Sequence, residues 1–201
     1  MIPSDKATSD IELWRSLQQG SEKALTELMK IYIKPLTYYG QKMLKDNDQI
    51  QDCIQETFIQ LWLYRSGLKD LSQVRPYLLT CLRRKIIRAL KQEQNLGELD
   101  LDTPFYIDFS IEESLIESET EALRVKRMNA LINKLPRRQK EAIYLRFFEN
   151  MDNKEIAEVM GIKYQTARNI LHEALDTLRQ LMPDSMPVFT LTMIGWASKI
   201  L

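Results

Sequence analysis

The chain has 201 residues, with only 6 glycines and 7 prolines, so it suits one domain or two small ones and favours an all-α fold. Its 28 basic and 28 acidic side chains cancel, and a zero net charge at first argues against a polyanionic partner. Cys53 and Cys81 lie in apolar helical patterns without metal-ligand spacing, and the first residues lack an apolar signal core. These features weigh against a metal centre, a disulfide framework and export, and make reduced thiols in a cytoplasmic protein the expectation.

In chain order, Asp10 is expected to cap a short helix, Ile11–Gln19, which Gly20 ends. Ser21 starts a longer helix with Ala24, Leu25, Leu28, Met29 and Tyr32 on its inner stripe. Pro35 interrupts that pattern and predicts a kink or a fresh start, followed by Leu36, Tyr39, Met43 and Leu44. After the cap cluster Asp46-Asn47-Asp48, a strong helix runs from about Asp48 to Tyr64, with Ile50, Cys53, Ile54, Thr57, Phe58, Leu61 and Trp62 on its apolar side. Another spans roughly Ser72 to Gln92.

Charge is sorted along the chain. From Leu71 to Gln92 there are six basic residues and no acidic one; from Gln92 to Leu123 there are ten acidic residues and no basic one. Such asymmetry points to polyanion binding by the basic segment. The acidic segment also holds Leu96, Leu99, Leu101, Phe105, Tyr106, Ile107, Phe109 and Ile111, too apolar for a simple solvated spacer. Its second half, from Ser110, reads as helical and leads into a helix over Glu119 to Lys134.

The most informative stretch is Leu135 to Gln180. It reads as three helices, the last two short and joined by a tight turn. Asp152 can cap the second and Glu155 can bond back to the cap's amide. Ile156, Ala157 and Met160 point inward, and Gly161 supplies a positive φ at the helix end. The final helix has Ala167, Ile170, Leu171, Ala174, Leu175 and Leu178 on one stripe. Tyr164, Gln165, Arg168, Asn169 and His172 lie opposite. This is a helix-turn-helix, which makes DNA the first partner to consider. The bland alternative is a helical hairpin with a solvated outer face. Upstream, Phe58 and Trp62 sit four apart beside Asp52, Gln55 and Glu56; this is either a polar-rimmed aromatic patch for a protein partner or ordinary core.

The order of these blocks resembles that of bacterial RNA polymerase sigma factors of the sigma-70 family, extracytoplasmic-function (ECF) group. Asp52–Trp62 (DCIQETFIQLW) resembles the region 2 helix that grips the polymerase clamp helices. Tyr77–Gln92 (YLLTCLRRKIIRALKQ) resembles the part that melts and reads the −10 element, and Leu135–Arg179 resembles region 4. The resemblance implies two small helical domains. Residues 8–92 would be region 2 and residues 119–181 the region 4 helix-turn-helix. Residues 93–118 would be an acidic linker lying along the template channel and RNA exit path. Residues 182–201 form an apolar extension past the usual family end, expected to pack as a helix on a domain face.

By the same resemblance Asp52, Gln55, Glu56, Phe58 and Trp62 would bind core polymerase. Arg83, Arg84, Lys85 and Arg88 would meet −10 phosphates, and Tyr77 could stack a base. Lys163, Tyr164, Gln165, Thr166, Arg168, Asn169 and His172 would enter the major groove at the −35 element, with Gln165, Arg168 and Asn169 on base edges. Arg137, Arg138 and Lys154 would take DNA backbone phosphates. The family often has asparagine then aspartate where this chain has Arg84 and Arg88, which favours phosphate over base contact there. The implied partners are core RNA polymerase (clamp helices and flap), promoter DNA and an anti-sigma factor. No cofactor, metal, membrane span or enzymatic activity is expected. The alternative is a stand-alone helix-turn-helix regulator that does not bind polymerase.

Overall fold

A computed structural model describes residues 4–94, 105–107 and 119–181. Among them are eight α-helices and one short 3-10 turn, and no strand. The helices are α1 (Ser4–Gln18), α2 (Glu22–Met43), α3 (Asn47–Leu63), α4 (Val74–Gln94), α5 (Glu119–Ile132), α6 (Arg137–Phe147), α7 (Asn153–Met160) and α8 (Tyr164–Leu181). They group into two units. α1 to α4, Phe105 and residues 151–164 form the first; residues 106–107, 119–150 and 165–181 form the second.

In the first unit, α2 is the central helix and packs on α1, α3 and α4; α4 also packs on α3 and α7. Ser21 caps α2 by accepting from the Ala24 amide. Asp46 caps α3 by accepting from the Asp48 and Gln49 amides. The core includes Trp14, Leu17, Leu28, Leu36, Tyr39, Ile50, Ile54, Leu78, Leu82 and Ile86, all essentially without exposure. Gly40 lets α2 and α3 approach closely, since a Cβ there would lie 2.6 Å from Ile50 Cγ2. Side chains of α1 tie down the segment after α3: Trp14 Nε1 donates to the Lys69 carbonyl at 3.1 Å, and Gln18 Nε2 to that of Leu68 at 2.8 Å. The Tyr39 ring meets Phe105 edge-on, with centroids 6.2 Å apart.

One expectation about this unit changes, and one of the two readings of Pro35 falls. Asp10 does not cap α1, which begins at Ser4; it lies inside the helix and accepts from the Tyr32 hydroxyl at 2.5 Å. Burial, with that carboxylate beside it, holds the Tyr32 hydroxyl protonated well above the usual tyrosine range. Pro35 does not restart the chain, because α2 runs on through it to Met43. The lost amide is offset by burial of Leu36, Tyr39 and Met43 just beyond.

In the second unit, the Asn133 side chain holds the backbone of Ile107 from both sides. Its Oδ1 accepts from the Ile107 amide at 3.2 Å and its Nδ2 donates to the Ile107 carbonyl at 2.7 Å. Ile107 is buried, so this amide supplies the partners that water cannot. Tyr106 stays exposed, with Lys140 Nζ 5.6 Å from its ring centroid. α6 is nearly all buried from Glu141 to Leu145. The expected helical second half of the acidic segment and the apolar extension of 182–201 lie outside the described residues.

Candidate nucleic-acid interface

The turn between α7 and α8 is built from local chemistry. Asp152 Oδ1 accepts from the Lys154 and Glu155 amides, each at 2.8 Å, and Glu155 Oε2 accepts from the Asp152 amide at 2.7 Å. These bonds satisfy donors that the first turn of a helix leaves open. At the other end Gly161 adopts φ 65°, and the Ile162 amide bonds the Ala157 carbonyl at 3.0 Å while the Gly161 amide bonds that of Glu158 at 3.2 Å. This paired closure needs the left-handed residue that glycine provides without strain.

α8 follows with sharply divided faces. Ala167, Ile170, Leu171, Ala174 and Leu178 are buried, while Lys163, Tyr164, Gln165, Arg168, Asn169 and His172 are exposed and Thr166 is half-buried. Gln165 Nε2 donates to Asn169 Oδ1 at 3.1 Å. One turn on, His172 Nδ1 lies 2.9 Å from Asp176 Oδ2, and Arg179 reaches the other oxygen of Asp176 at 2.9 Å. Arg138 and Lys154 are exposed, whereas Arg137 is half-buried.

α4 separates the basic residues proposed for it. Arg84 and Arg88 are exposed on one side, with half-buried Tyr77, Cys81 and Lys91 along the same edge. Arg83 is half-buried. Lys85 is no open phosphate ligand: its side chain is 13% exposed and its Nζ lies 3.0 Å from Glu56 Oε2. Tyr77 is fixed by Trp14, whose ring meets it edge-on with centroids 5.2 Å apart. Burial first, and then the neighbouring Cys81, push its hydroxyl up to about 12. Burial likewise raises both thiols, so neither Cys53 nor Cys81 is primed as a nucleophile.

The exposed apolar side chains of α3 do not coincide with the expected docking patch. Phe58 is 2% exposed and belongs to the core, because it falls on the same stripe as Ile54 and Leu61. The exposed apolar side chains on α3 are instead Ile59 and Leu63, one turn apart, with Tyr64 following. Asp52, Gln55 and Glu56 are exposed beside them. Trp62 is half-buried, with the Arg65 guanidinium over its ring at 4.1 Å and the same arginine donating to the Trp62 carbonyl. Alternating exposure along α3 would have pointed to Ile59 and Leu63 only once the partners of its inner stripe were known.

Two family models match these parts: sigma-70 region 2 over residues 28–96 and sigma-70 region 4 over residues 126–178. The chain belongs to the sigma-70 family, ECF group. Sigma factors among its relatives include SigZ of Bacillus subtilis, 23% identical over 158 residues that make up 79% of this chain and 86% of SigZ. SigM of the same organism is 22% identical, over 78% of this chain and 94% of its own. The sigma-E factor of Haemophilus influenzae is 27% identical, over 85% and 93%. The fold is shared with sigma factors solved as complexes. CnrH with the cytosolic domain of CnrY superposes with a TM-score of 0.57 at 18% identity, over 86% of this chain and 96% of that one. RpoE with the anti-sigma factor NepR from Bartonella quintana gives 0.53 at 17%, over 79% and 96%. Among the described residues of this sigma factor, no helix is long and apolar enough to cross a membrane.

Proposed function

We propose that this sigma factor binds core RNA polymerase and directs promoter-specific initiation by contacting both promoter elements, without catalysis of its own. The observation that carries this reading is the divided α8, whose exposed face gathers Tyr164, Gln165, Arg168, Asn169 and His172 over a buried stripe, with exposed Lys163 just before it. A helix of this kind after a tight turn enters the major groove. It would lie on the −35 element, with Arg138 and Lys154 on phosphates. Arg84 and Arg88 on α4 would contact the −10 region, and their positive charge suits phosphates. The polymerase would be met by Asp52, Gln55, Ile59, Leu63 and Trp62, an apolar centre with a polar rim. An anti-sigma factor is the further partner proposed, by analogy with the neighbours solved in such complexes.

The test is transcription with purified core polymerase on genomic promoter fragments. Discrete start sites that depend on the chain, and that weaken in Ile59→Asp and Leu63→Asp variants, are expected. Sequence-selective DNA binding without any association with core polymerase would refute the reading in favour of a stand-alone regulator.

A further inference from the structure

We propose that Gln165 and Asn169 act together as a single adenine reader on α8, an inference that rests on the promoter-binding reading above. The two residues stand one helical turn apart, both exposed, and are joined by the 3.1 Å bond from Gln165 Nε2 to Asn169 Oδ1. A free amide can rotate to offer either its oxygen or its nitrogen. The internal bond couples the two rotations: when one amide turns its nitrogen inward, the other turns its oxygen inward. It uses Asn169 Oδ1 as acceptor and one Gln165 N–H as donor. What remains is an acceptor, Gln165 Oε1, with donors beside it on both residues, the second Gln165 N–H and Asn169 Nδ2.

In the major groove, adenine places the N6 donor beside the N7 acceptor. N6–H can give to Gln165 Oε1 while N7 takes from Asn169 Nδ2. Guanine would set its O6 against the Gln165 oxygen. Cytosine has the N4 donor but no acceptor for Asn169, and thymine has no donor at all. The neighbouring exposed groups do not duplicate this pattern. His172 and Arg179 are turned along the helix to Asp176. Arg168, exposed beside the pair, offers donors only, which suits a guanine or a phosphate.

The linked pair also predicts how the preference changes. Gln165→Glu removes the donor to Asn169, so Asn169 Nδ2 turns to the new carboxylate. The outward groups are then acceptors, and acceptors suit the cytosine N4 amine. The experiment is selection by holoenzyme, formed from the full chain and purified core polymerase, on duplex promoters randomised across the upstream element. The wild type is expected to enrich adenine about tenfold at one position. Gln165→Ala and Asn169→Ala should each flatten that position and leave the others, and Gln165→Glu should move it toward cytosine. Both sites are exposed, so the alanine variants keep the fold, which circular dichroism checks. Enrichment of an upstream sequence that is unchanged in both alanine variants overturns the adenine reader alone. No enrichment of any upstream sequence by the wild type overturns the promoter reading and the adenine reader together.

Discussion

Replacing Gly40 with alanine sets two known effects against each other. Alanine in a helix interior is favoured over glycine by about 1 kcal/mol. Against this, the new methyl would lie 2.6 Å from Ile50 Cγ2 and 3.5 Å from its Cγ1. The first distance is about 1 Å inside the optimal separation of two carbons. Ile50 cannot swing aside, because it is β-branched, fully buried and in the first turn of α3. The helices must part instead, and overpacking of this kind costs about 1–3 kcal/mol. The net expectation for Gly40→Ala is a loss of up to about 2 kcal/mol, read as a fall in Tm of several degrees by circular dichroism. Ile50→Ala alone should cost about 2–5 kcal/mol through the cavity it leaves. Combined with Gly40→Ala it should cost less than the sum, because the new methyl enters that cavity. A Gly40→Ala protein more stable than wild type would refute the argument. So would a cycle whose coupling falls within about 0.5 kcal/mol of zero.

The remaining predictions use the same measurements or DNA binding. Gly161→Ala forces a side chain into φ 65° and should destabilise by about 1–2 kcal/mol with no clash to relieve, while Gly67→Ala, in open space, should be close to neutral. Asp152→Ala removes the acceptor for two amides and should lower stability by about 1 kcal/mol in denaturant titrations. Tyr77 is held neutral in the fold, so its contribution is complete below the ordinary tyrosine value of 10.0 and is lost as pH rises from there to about 12. In Tyr77→Phe that part of the alkaline decline in Tm should disappear. Arg84→Ala and Arg88→Ala should each weaken promoter binding across sequences, and should reduce the steepness of its salt dependence by about one unit.

The helix-turn-helix was the most legible part of the chain, because its determinants are neighbours in sequence. Asp152, Glu155 and Gly161 bond groups within five positions of themselves, so spacing alone reveals them. The buried stripe of α8 is legible for the same reason, its period being that of the helix. What the sequence leaves open involves partners on other elements. Lys85 reads as one more cation in a basic segment until Glu56, 29 positions away, is placed beside it. The pattern favours core for Phe58 but leaves the patch open until α2 and α4 close over α3. Asp10 has the right residue type for a cap, but its partner is Tyr32 on the next helix. Glu141 is fully buried in α6, and nothing in a charged residue's local pattern marks it as interior.

Pro35 gives α2 a seam. Without an amide it cannot bond the carbonyl of Ile31, so the ladder of hydrogen bonds has a missing rung inside one unbroken helix. On one side lie Ala24 and Leu28; on the other lie Tyr39 and Gly40, the latter packed on Ile50 of α3. Opening that starts at the Ser21 end can stop at the seam, while the half beyond it stays closed with α3. Amide protons of the two halves should therefore exchange with solvent as separate groups, the slower one belonging to the half that carries Gly40.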